Sequence, residues 1–257
     1  MPCKASSLVP KTVRSIVWTN SILQKLDFNT AHELAEDILL FSKFLVGFPL
    51  GVRAENIEIV IAGYQLAGEI FWNTKSLANW ATTQYNLGNS YCERIRGNKP
   101  ENLELAIHHY LAALTVQNKN ESSKAWALTK NSLGTAYIER IKGKKSKNIE
   151  LGIECFNKAL TIHIETELPL EWANIQTNLS EAYRNRILGE KAENLEKSIE
   201  FGLAALKVYS YEGFPEDWGT TQIHLGNAYA HRIRGDKADN LEKAIHYLSS
   251  ASETIKE

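Results

Sequence analysis

The chain has 257 residues, of which 44% are hydrophobic and 23% are charged, and its formal net charge is −1. Because opposite charges nearly cancel, the chain as a whole has no electrostatic attraction to nucleic acid or to an anionic membrane. Cys3, Cys92 and Cys155 are odd in number and scattered, a pattern typical of reduced thiols in the cytoplasm. No stretch has the roughly 18–20 apolar residues of a membrane span, and the first residues lack the apolar run of a signal peptide. We therefore expect a cytoplasmic protein with no membrane partner.

The first part of the chain matches no later part of it. Apolar residues at helical spacing predict one short amphipathic helix from Thr12 to Leu26. Asn29 or Thr30 is placed to cap a second helix, predicted from His32 to about Leu45. Residues 1–33 are therefore predicted to form a helical cap at the N-terminus.

The rest of the chain repeats one unit of 46 residues, marked by Trp80, Trp126, Trp172 and Trp218. A leucine, a tyrosine, an Arg-Ile pair and a glycine follow each tryptophan at fixed offsets, without insertion or deletion. A strict period of ~20–50 residues indicates an array of stacked units, in which each unit packs only on its neighbours. We therefore predict full copies followed by a C-terminal capping copy, with the boundaries 80–125, 126–171, 172–217 and 218–257.

The copy before these, residues 34–79, is degenerate. Its second half follows the common pattern, but its first half is the more apolar string EDILLFSKFLVGFPLG, without the tryptophan, the tyrosine or the arginine. In the last copy, Ser252 and Thr254 stand where the earlier copies have leucine and a β-branched apolar residue. Terminal units of an array are atypical and lose apolar residues on the face that would meet a further unit. We therefore expect these two copies to be the ends of the array.

Each copy is predicted to contain two helices, A and B. Helix A runs from the tryptophan to the residue before the glycine. In the first full copy, Trp80, Leu87, Tyr91 and Ile95 lie near helical spacing and predict its apolar face. Gly97 then provides a left-handed C-cap.

Helix B is predicted to follow a short polar loop. Glu104 and its equivalents lie in its first turn, where the helix dipole favours a carboxylate. Pro169 and Pro215 are predicted to stop helix B in two copies. The N-cap of helix B is predicted to be an asparagine in every copy: Asn102, Asn148, Asn194 and Asn240.

Small residues recur inside helix A at one offset, at Gly88, Gly134, Ser180 and Gly226. An internal glycine costs a helix about 1 kcal/mol relative to alanine. We therefore predict that another helix approaches helix A closely at this offset.

Leu87, Gly88 and Tyr91 in helix A, with Ala106 and Tyr110 in helix B, resemble the pattern of the tetratricopeptide repeat, whose usual unit has 34 residues. The string WATTQ-NLG-Y-RI-G-K-NLE-AI-Y-AL is similar to long-period tetratricopeptide arrays of large cyanobacterial proteins. Some of those are fused to caspase-like CHAT protease domains, and no protease domain occurs within these 257 residues. The resemblance implies an all-α, right-handed superhelical solenoid of antiparallel helix pairs. It implies no catalysis and no cofactor.

Tetratricopeptide arrays line their concave groove with helix A, so the resemblance also implies a binding surface. Such arrays are interaction scaffolds, and we expect a protein or peptide partner in the groove, with a homo-oligomer left open. The groove offsets differ among the copies and are mostly polar. In this sequence they map to Tyr85, Asn86, Asn89, Glu93, Asn131, Thr135, Glu139, Thr177, Asn178, Glu181, Asn185, Ile223, His224, Asn227 and His231.

An alternative function is binding of nucleic acid or a phosphate ligand at the edge formed by the A–B loops. The alternative to that is a solvated edge in which neighbouring acids balance the bases, and we favour the groove over the loop edge. The arginine at the end of helix A recurs in every copy, beside carbonyl ends and with Glu104 or an equivalent nearby in the next helix, and is therefore predicted to be structural. The basic residues of this edge are Arg94, Arg96, Lys99, Arg140, Lys142, Lys144, Lys145, Lys147, Arg232, Arg234 and Lys237.

The sequence has none of the common catalytic or metal-binding motifs, such as a Walker loop, H-E-x-x-H or C-x-x-C. His108 and His109 are adjacent on one helix and point about 100° apart, so they cannot share a metal ion. His224 and His231 share a helix face without an acidic or cysteine partner at ligand spacing. We interpret these histidines as solvated helix residues and expect no metal site and no enzyme activity.

Overall fold

A computed structural model describes residues 26–163 and 165–254, and every regular element within them is an α-helix. The all-α prediction is confirmed for these residues. The predicted helix from Thr12 to Leu26 lies outside them except for its last residue. The helices are α1 (Phe28–Val46), α2 (Arg53–Asn73), α3 (Leu77–Glu93), α4 (Lys99–Ala113), α5 (Ser123–Glu139), α6 (Lys145–Leu160), α7 (Pro169–Asn185), α8 (Lys191–Ala205), α9 (Pro215–Ala230) and α10 (Lys237–Glu253).

The chain divides into two compact units, unit N up to Gln117 and unit C from Asn118. Unit N contains α1–α4 and unit C contains α5–α10. Within each unit consecutive helices pack against each other, as in an α-solenoid, and in unit C successive helices A (α5, α7 and α9) also contact one another. None of the helices in the described part of the chain is both long and apolar enough to cross a membrane.

The start of α1 differs from the prediction. The helix begins at Phe28, and its N-cap is Asp27, whose Oδ1 accepts hydrogen bonds from the backbone N–H groups of Asn29 (3.0 Å) and Thr30 (3.1 Å). The prediction of Asn29 or Thr30 as the cap is therefore wrong. A carboxylate placed before the first turn satisfies two unpaired N–H groups and also interacts with the positive end of the helix dipole.

The repeated asparagines do not cap helix B. Helix B of the first full copy begins at Lys99, so Asn102 lies inside its first turn and is 2% exposed. Its Nδ2 donates to the backbone oxygens of Arg96 (2.9 Å) and Arg94 (3.3 Å) in the preceding loop. Buried carbonyl groups need such partners, and the asparagine amide provides one to the loop in each full copy. The same bond to the residue before the loop glycine is made by Asn56, Asn148, Asn194 and Asn240.

The ends of helix A also differ from the prediction. Gly97 has the predicted left-handed conformation, with φ of 83°, but helix A ends earlier, at Glu93, and Arg94 follows in an extended conformation. Pro169 and Pro215 do not stop helix B, because each is the first residue of a helix A. Proline suits that position because the first helical residue has no N–H partner to lose.

The predicted close approach inside each copy is confirmed. A Cβ added to Gly134 in α5 would lie 2.5 Å from the buried ring of Phe156 in α6. Gly88 and Gly226 stand in the same relation to Tyr110 and Leu248. In all three cases the missing side chain is what lets the two helices touch.

The repeated tryptophans are half-buried rather than fully buried. Trp172 packs on a cluster that contains Ala173, Ala205 and Tyr209. The isoleucine after the repeated arginine is not part of the apolar face of helix A, as the spacing had predicted. It lies beyond the helix and is about 60% exposed in every full copy, at Ile95, Ile141, Ile187 and Ile233.

Candidate ligand-binding site on helix A

The repeated arginine joins each copy to the copy before it. Arg186 follows the end of α7, and its Nε and Nη2 donate to the two carboxylate oxygens of Glu150 at 2.7 and 2.8 Å. Its guanidinium carbon lies 5.4 Å from the ring centre of Tyr183. The glutamate belongs to helix B of the preceding copy, so the predicted pairing with the next helix is wrong. The same pairing joins Arg94 to Glu58 and Arg232 to Glu196.

Several bases of the A–B loops also have structural partners. Arg96 donates to Glu55, and the Nζ of Lys191 donates to the backbone oxygen of Arg184 at 2.8 Å. The Nζ of Lys145 donates to the backbone oxygen of Ile138 near the end of α5. A lysine at this position therefore caps the carbonyl end of helix A.

In unit N, three of the four predicted groove residues come together at a cavity of about 310 Å³, here called pocket N. Asn89 accepts a 2.7 Å hydrogen bond from the hydroxyl of Tyr110, and the fourth residue, Tyr85, packs against that tyrosine ring. The Nδ2 of Asn86 is enclosed and has no hydrogen-bond partner. Pocket N is lined by Lys43, Val46, Ile57, Val60, Tyr64, Asn86, Asn89, Ser90 and Glu93.

In unit C, two predicted groove residues form a network with an asparagine that the offsets did not include. The Nδ2 of Asn131 in α5 donates to the Oδ1 of Asn174 in α7 at 2.8 Å. The Nδ2 of Asn178 donates to the Oδ1 atoms of Asn131 (3.0 Å) and Asn174 (3.3 Å). The three amides thus link two successive helices A. Thr135 lies one turn further along α5, and its hydroxyl donates to the backbone oxygen of Asn131.

The other predicted groove residues of unit C lie in varied surroundings. Thr177 is buried, and its hydroxyl is 2.9 Å from that of Thr221, so it holds α7 to α9. Near the other half of the helices, the ring of His224 is partly buried and its Nδ1 is enclosed without a partner, while the charge of Glu181 acts on it. The remaining positions are half-buried at Asn185 and Asn227 and exposed at Glu139, Ile223 and His231.

A second cavity, pocket C, opens beside the asparagine network and has a volume of about 290 Å³. Its buried side chains are His163 and Tyr209, which follow α6 and α8. The hydroxyl of Tyr209 donates to the backbone oxygen of Leu170 at 3.3 Å, and burial raises the pKa of this tyrosine to about 12. Pocket C is lined by Leu128, Asn131, His163, Leu170, Glu171, Asn174, Tyr209 and Asp217.

Most residues of pocket C were missed by the groove offsets, which fall further along helix A. The signal that could have found them is variation among the copies. The offset of His163 carries a different residue in each copy, as Phe71, Gln117 and Tyr209 show. The offset of Glu171 is equally variable. These positions therefore meet the criterion that was applied to the groove.

Two histidines contradict the interpretation as solvated residues. His109 is half-buried, its Nδ1 lies 2.8 Å from the Oε1 of Gln84, and its ring stacks on Tyr91. Burial, together with the neighbouring His108, lowers the pKa of His109 to about 4. Burial likewise lowers the pKa of His224. Among the described residues, no group of three or more His, Cys, Asp or Glu side chains is placed to hold a metal ion.

The fold and these two cavities define an all-α helical-repeat protein. Among solved structures, the chain is similar to the crystal structure of BtubC (BKLC) from P. vanneervenii, with 13% sequence identity, a TM-score of 0.48, and coverage of 90% of this chain and 91% of that chain. No protein-family model and no curated protein sequence matches the chain.

Proposed function

We propose that the protein is a non-catalytic interaction scaffold of the tetratricopeptide-repeat type, which binds a peptide or an extended protein segment along the helix A faces. A cytoplasmic location belongs to the same proposal, because three scattered cysteines are typical of reduced thiols. The observation that carries the binding proposal is the amide network of Asn131, Asn174 and Asn178 beside pocket C. It is built from positions that differ among the copies.

The network retains hydrogen-bonding capacity for a ligand. A side-chain amide has two N–H donors and an oxygen with two lone pairs. In the contacts above, the Nδ2 of Asn131 makes one hydrogen bond, and its Oδ1 accepts one. A peptide backbone offers N–H and C=O groups at regular intervals, which is the complement that such amides bind.

The charges at the loop edge support the helix A faces over nucleic acid as the binding surface. Arg94, Arg186 and Arg232 form fork-like pairs with glutamates, and Lys145 and Lys191 bind carbonyl groups. Phosphate-binding proteins use cations that release counterions on binding, so a base already paired with a carboxylate contributes less. Three exposed lysines, Lys142, Lys144 and Lys147, keep the nucleic-acid alternative open to test.

A random-peptide display selection against the full chain tests the proposal. Peptides that bind the wild-type protein are expected to lose most of their affinity for a variant with Asn131→Ala and Asn178→Ala. The matched control changes Lys142, Lys144 and Lys147 to Gln and is expected to bind the same peptides as before. Lys145 is kept because it binds a backbone carbonyl group.

Stability must be measured beside binding, because the two asparagines are half-buried and hydrogen-bonded. Each substitution is expected to cost about 1 kcal/mol of unfolding free energy, and a thermal melt shows whether the variant stays folded at the assay temperature. If the loop-edge variant loses binding instead, and its salt dependence flattens by roughly 0.7–0.9 per phosphate contact, the ligand is nucleic acid and the proposal is wrong.

A further inference from the structure

Pocket C has a surplus of hydrogen-bond acceptors. Glu171 and Asp217 lie in the first turns of α7 and α9, and both line the cavity. No lysine or arginine is among its lining residues. Within residues 26–163 and 165–254, neither carboxylate takes part in an ion pair. The cavity therefore brings together two negative charges that no side chain of its own neutralises.

The floor of the pocket holds a buried acceptor without a partner. His163 is 1% exposed, and its Nδ1 is enclosed and makes no hydrogen bond. Burial lowers the pKa of this histidine, against an opposite effect of Glu171, and the charge of Lys124 lowers it further. An uncharged imidazole with its hydrogen on Nε2 presents Nδ1 as an acceptor. A buried polar atom of this kind costs stability unless something binds it.

Asp217 is also in an unfavourable position when the pocket is empty. It lies at the exposed rim, where partial withdrawal from water and the neighbouring charge of Glu216 raise its pKa. The helix N-terminus favours a carboxylate at this position, which accounts for an acid in the first turn of a helix. It does not account for a pocket whose buried histidine lacks a partner.

The mouth of the pocket is apolar. Leu128 and Leu170 line it and are 39% and 42% exposed. A volume of about 290 Å³ is at the lower limit of the ~300–1,000 Å³ of small-molecule sites, so the cavity suits one side chain rather than a large cofactor. Long basic side chains bury an aliphatic stem against apolar surface while the charged end makes polar contacts.

We propose that pocket C binds an N–H-bearing organic cation on an aliphatic stem, namely the side chain of a lysine or arginine of the bound peptide. The stem lies between Leu128 and Leu170, and the charged end donates to Glu171, Asp217 and the Nδ1 of His163. This inference rests on the proposed function, since the bound peptide supplies the cation. A free polyamine has the same chemistry, and the experiment separates the two sources.

The first measurement extends the peptide selection. Peptides selected on the wild-type chain are expected to share a lysine or arginine at one position, and replacing it by norleucine should weaken binding about tenfold or more. A Glu171→Gln and Asp217→Asn variant should weaken binding of the basic peptide to a similar extent. The matched control is Glu193→Gln with Glu200→Gln, which removes the same charge from exposed positions in α8, one of them in the first turn.

The second measurement needs no peptide. The ring signals of His163 are followed by NMR while putrescine, or N-acetyl-lysine methylamide, is added to the full chain. His163→Gln identifies the signals, because glutamine stands at this offset in another copy, at Gln117. Movement of these signals by the lysine compound, and its loss in the Glu171→Gln and Asp217→Asn variant, is the expected result.

Norleucine peptides that bind as tightly as lysine peptides, or an acid-free variant that binds as well as wild type, would overturn the inference while leaving the proposed function intact. If putrescine moves the His163 signals and the lysine compound does not, the source of the cation is a free polyamine and the peptide assignment is wrong. If the selection yields no peptide, the proposed function fails. Unchanged signals in both titrations then overturn the cation site as well.

Discussion

The two ends of α7 are built from different kinds of residue. At its C-terminal end, Arg186 binds Glu150 and stacks on Tyr183, and the same residues recur in other copies. At its N-terminal end, Glu171 and Asn174 line pocket C, and these offsets change from copy to copy. Residues that every copy shares solve a packing problem that every copy has. The N-terminal end is where one copy is chemically distinct from the next.

The largest expected effect tests whether a repeated residue is structural even at the variable end. Trp172 is half-buried against Ala205 and Tyr209, so Trp172→Ala should lower the unfolding free energy by about 2 kcal/mol, below the ~3–5 kcal/mol of a fully buried tryptophan. The adjacent Glu171→Gln is the control and should change stability by less than about 0.5 kcal/mol. Urea unfolding of both variants measures this. Equal losses would remove the distinction between repeated and variable residues.

The next effect concerns the repeated end. Arg186→Ala removes a two-bond ion pair and leaves the carboxylate of Glu150 without a partner, which should cost about 1–2 kcal/mol. Both side chains are about a quarter to a third exposed, so solvent limits the loss. A double-mutant cycle with Glu150→Ala should give a coupling energy of at least about 0.5 kcal/mol. Additive losses would mean that the pair does not stabilise the contact between copies.

The same pairing makes stability depend on acid. The guanidinium of Arg232 lowers the pKa of Glu196 below its ordinary value of 4.5. A lowered carboxyl pKa stabilises the fold above the unfolded value, and this stability is lost as the pH falls through the folded value. Between pH 7 and about pH 3, the wild type should therefore lose about 1 kcal/mol more than Glu196→Gln does. Parallel melting curves of the two proteins across this range would contradict the expectation.

The smallest effect is expected at a repeated residue that the fold does not use. Ile187 is 59% exposed, and its equivalents are exposed to the same degree. Ile187→Ser should change the unfolding free energy by less than about 0.5 kcal/mol. Nothing in the structure explains why isoleucine recurs here. A loss above about 1 kcal/mol would show that the repeat rule holds at this offset too.

The sequence was sufficient where a pattern has a single structural solution. The fixed period predicted helix pairs, and Gly134 predicted the close approach of α6 because glycine destabilises a helix interior unless a neighbour needs the space of its missing side chain. The asparagines were misassigned because an asparagine before an apolar helical pattern has the local signature of an N-cap. Its actual partners are carbonyl groups of a loop six to eight residues earlier, as Asn102 shows. Only the path of that loop reveals them.

The candidate site was predicted in part. Asn131 and Asn178 lie at transferred groove offsets, and the structure places them in one network. His163, Glu171 and Asp217 come from separate segments, and their meeting depends on how the starts of successive helices A pack. A single sequence does not contain that geometry. It did contain the variation at those offsets, which is the more general indicator.

The contact between helices A and B within a copy has a consequence for how such a chain can change. The first, second and fourth full copies place a glycine in helix A opposite a large side chain in helix B. The third instead places Ser180 opposite Gly202, with the Cδ2 of Leu225 only 2.7 Å from where a Cβ of that glycine would be. The two helices of a copy are therefore matched in size, and the third copy has the two sizes exchanged. A recombination event that joined helix A of the third copy to helix B of the second would put a serine against Phe156. Whole copies can be duplicated or exchanged along this gene, but half-copies cannot, so inheritance should act on the helix pair as one unit.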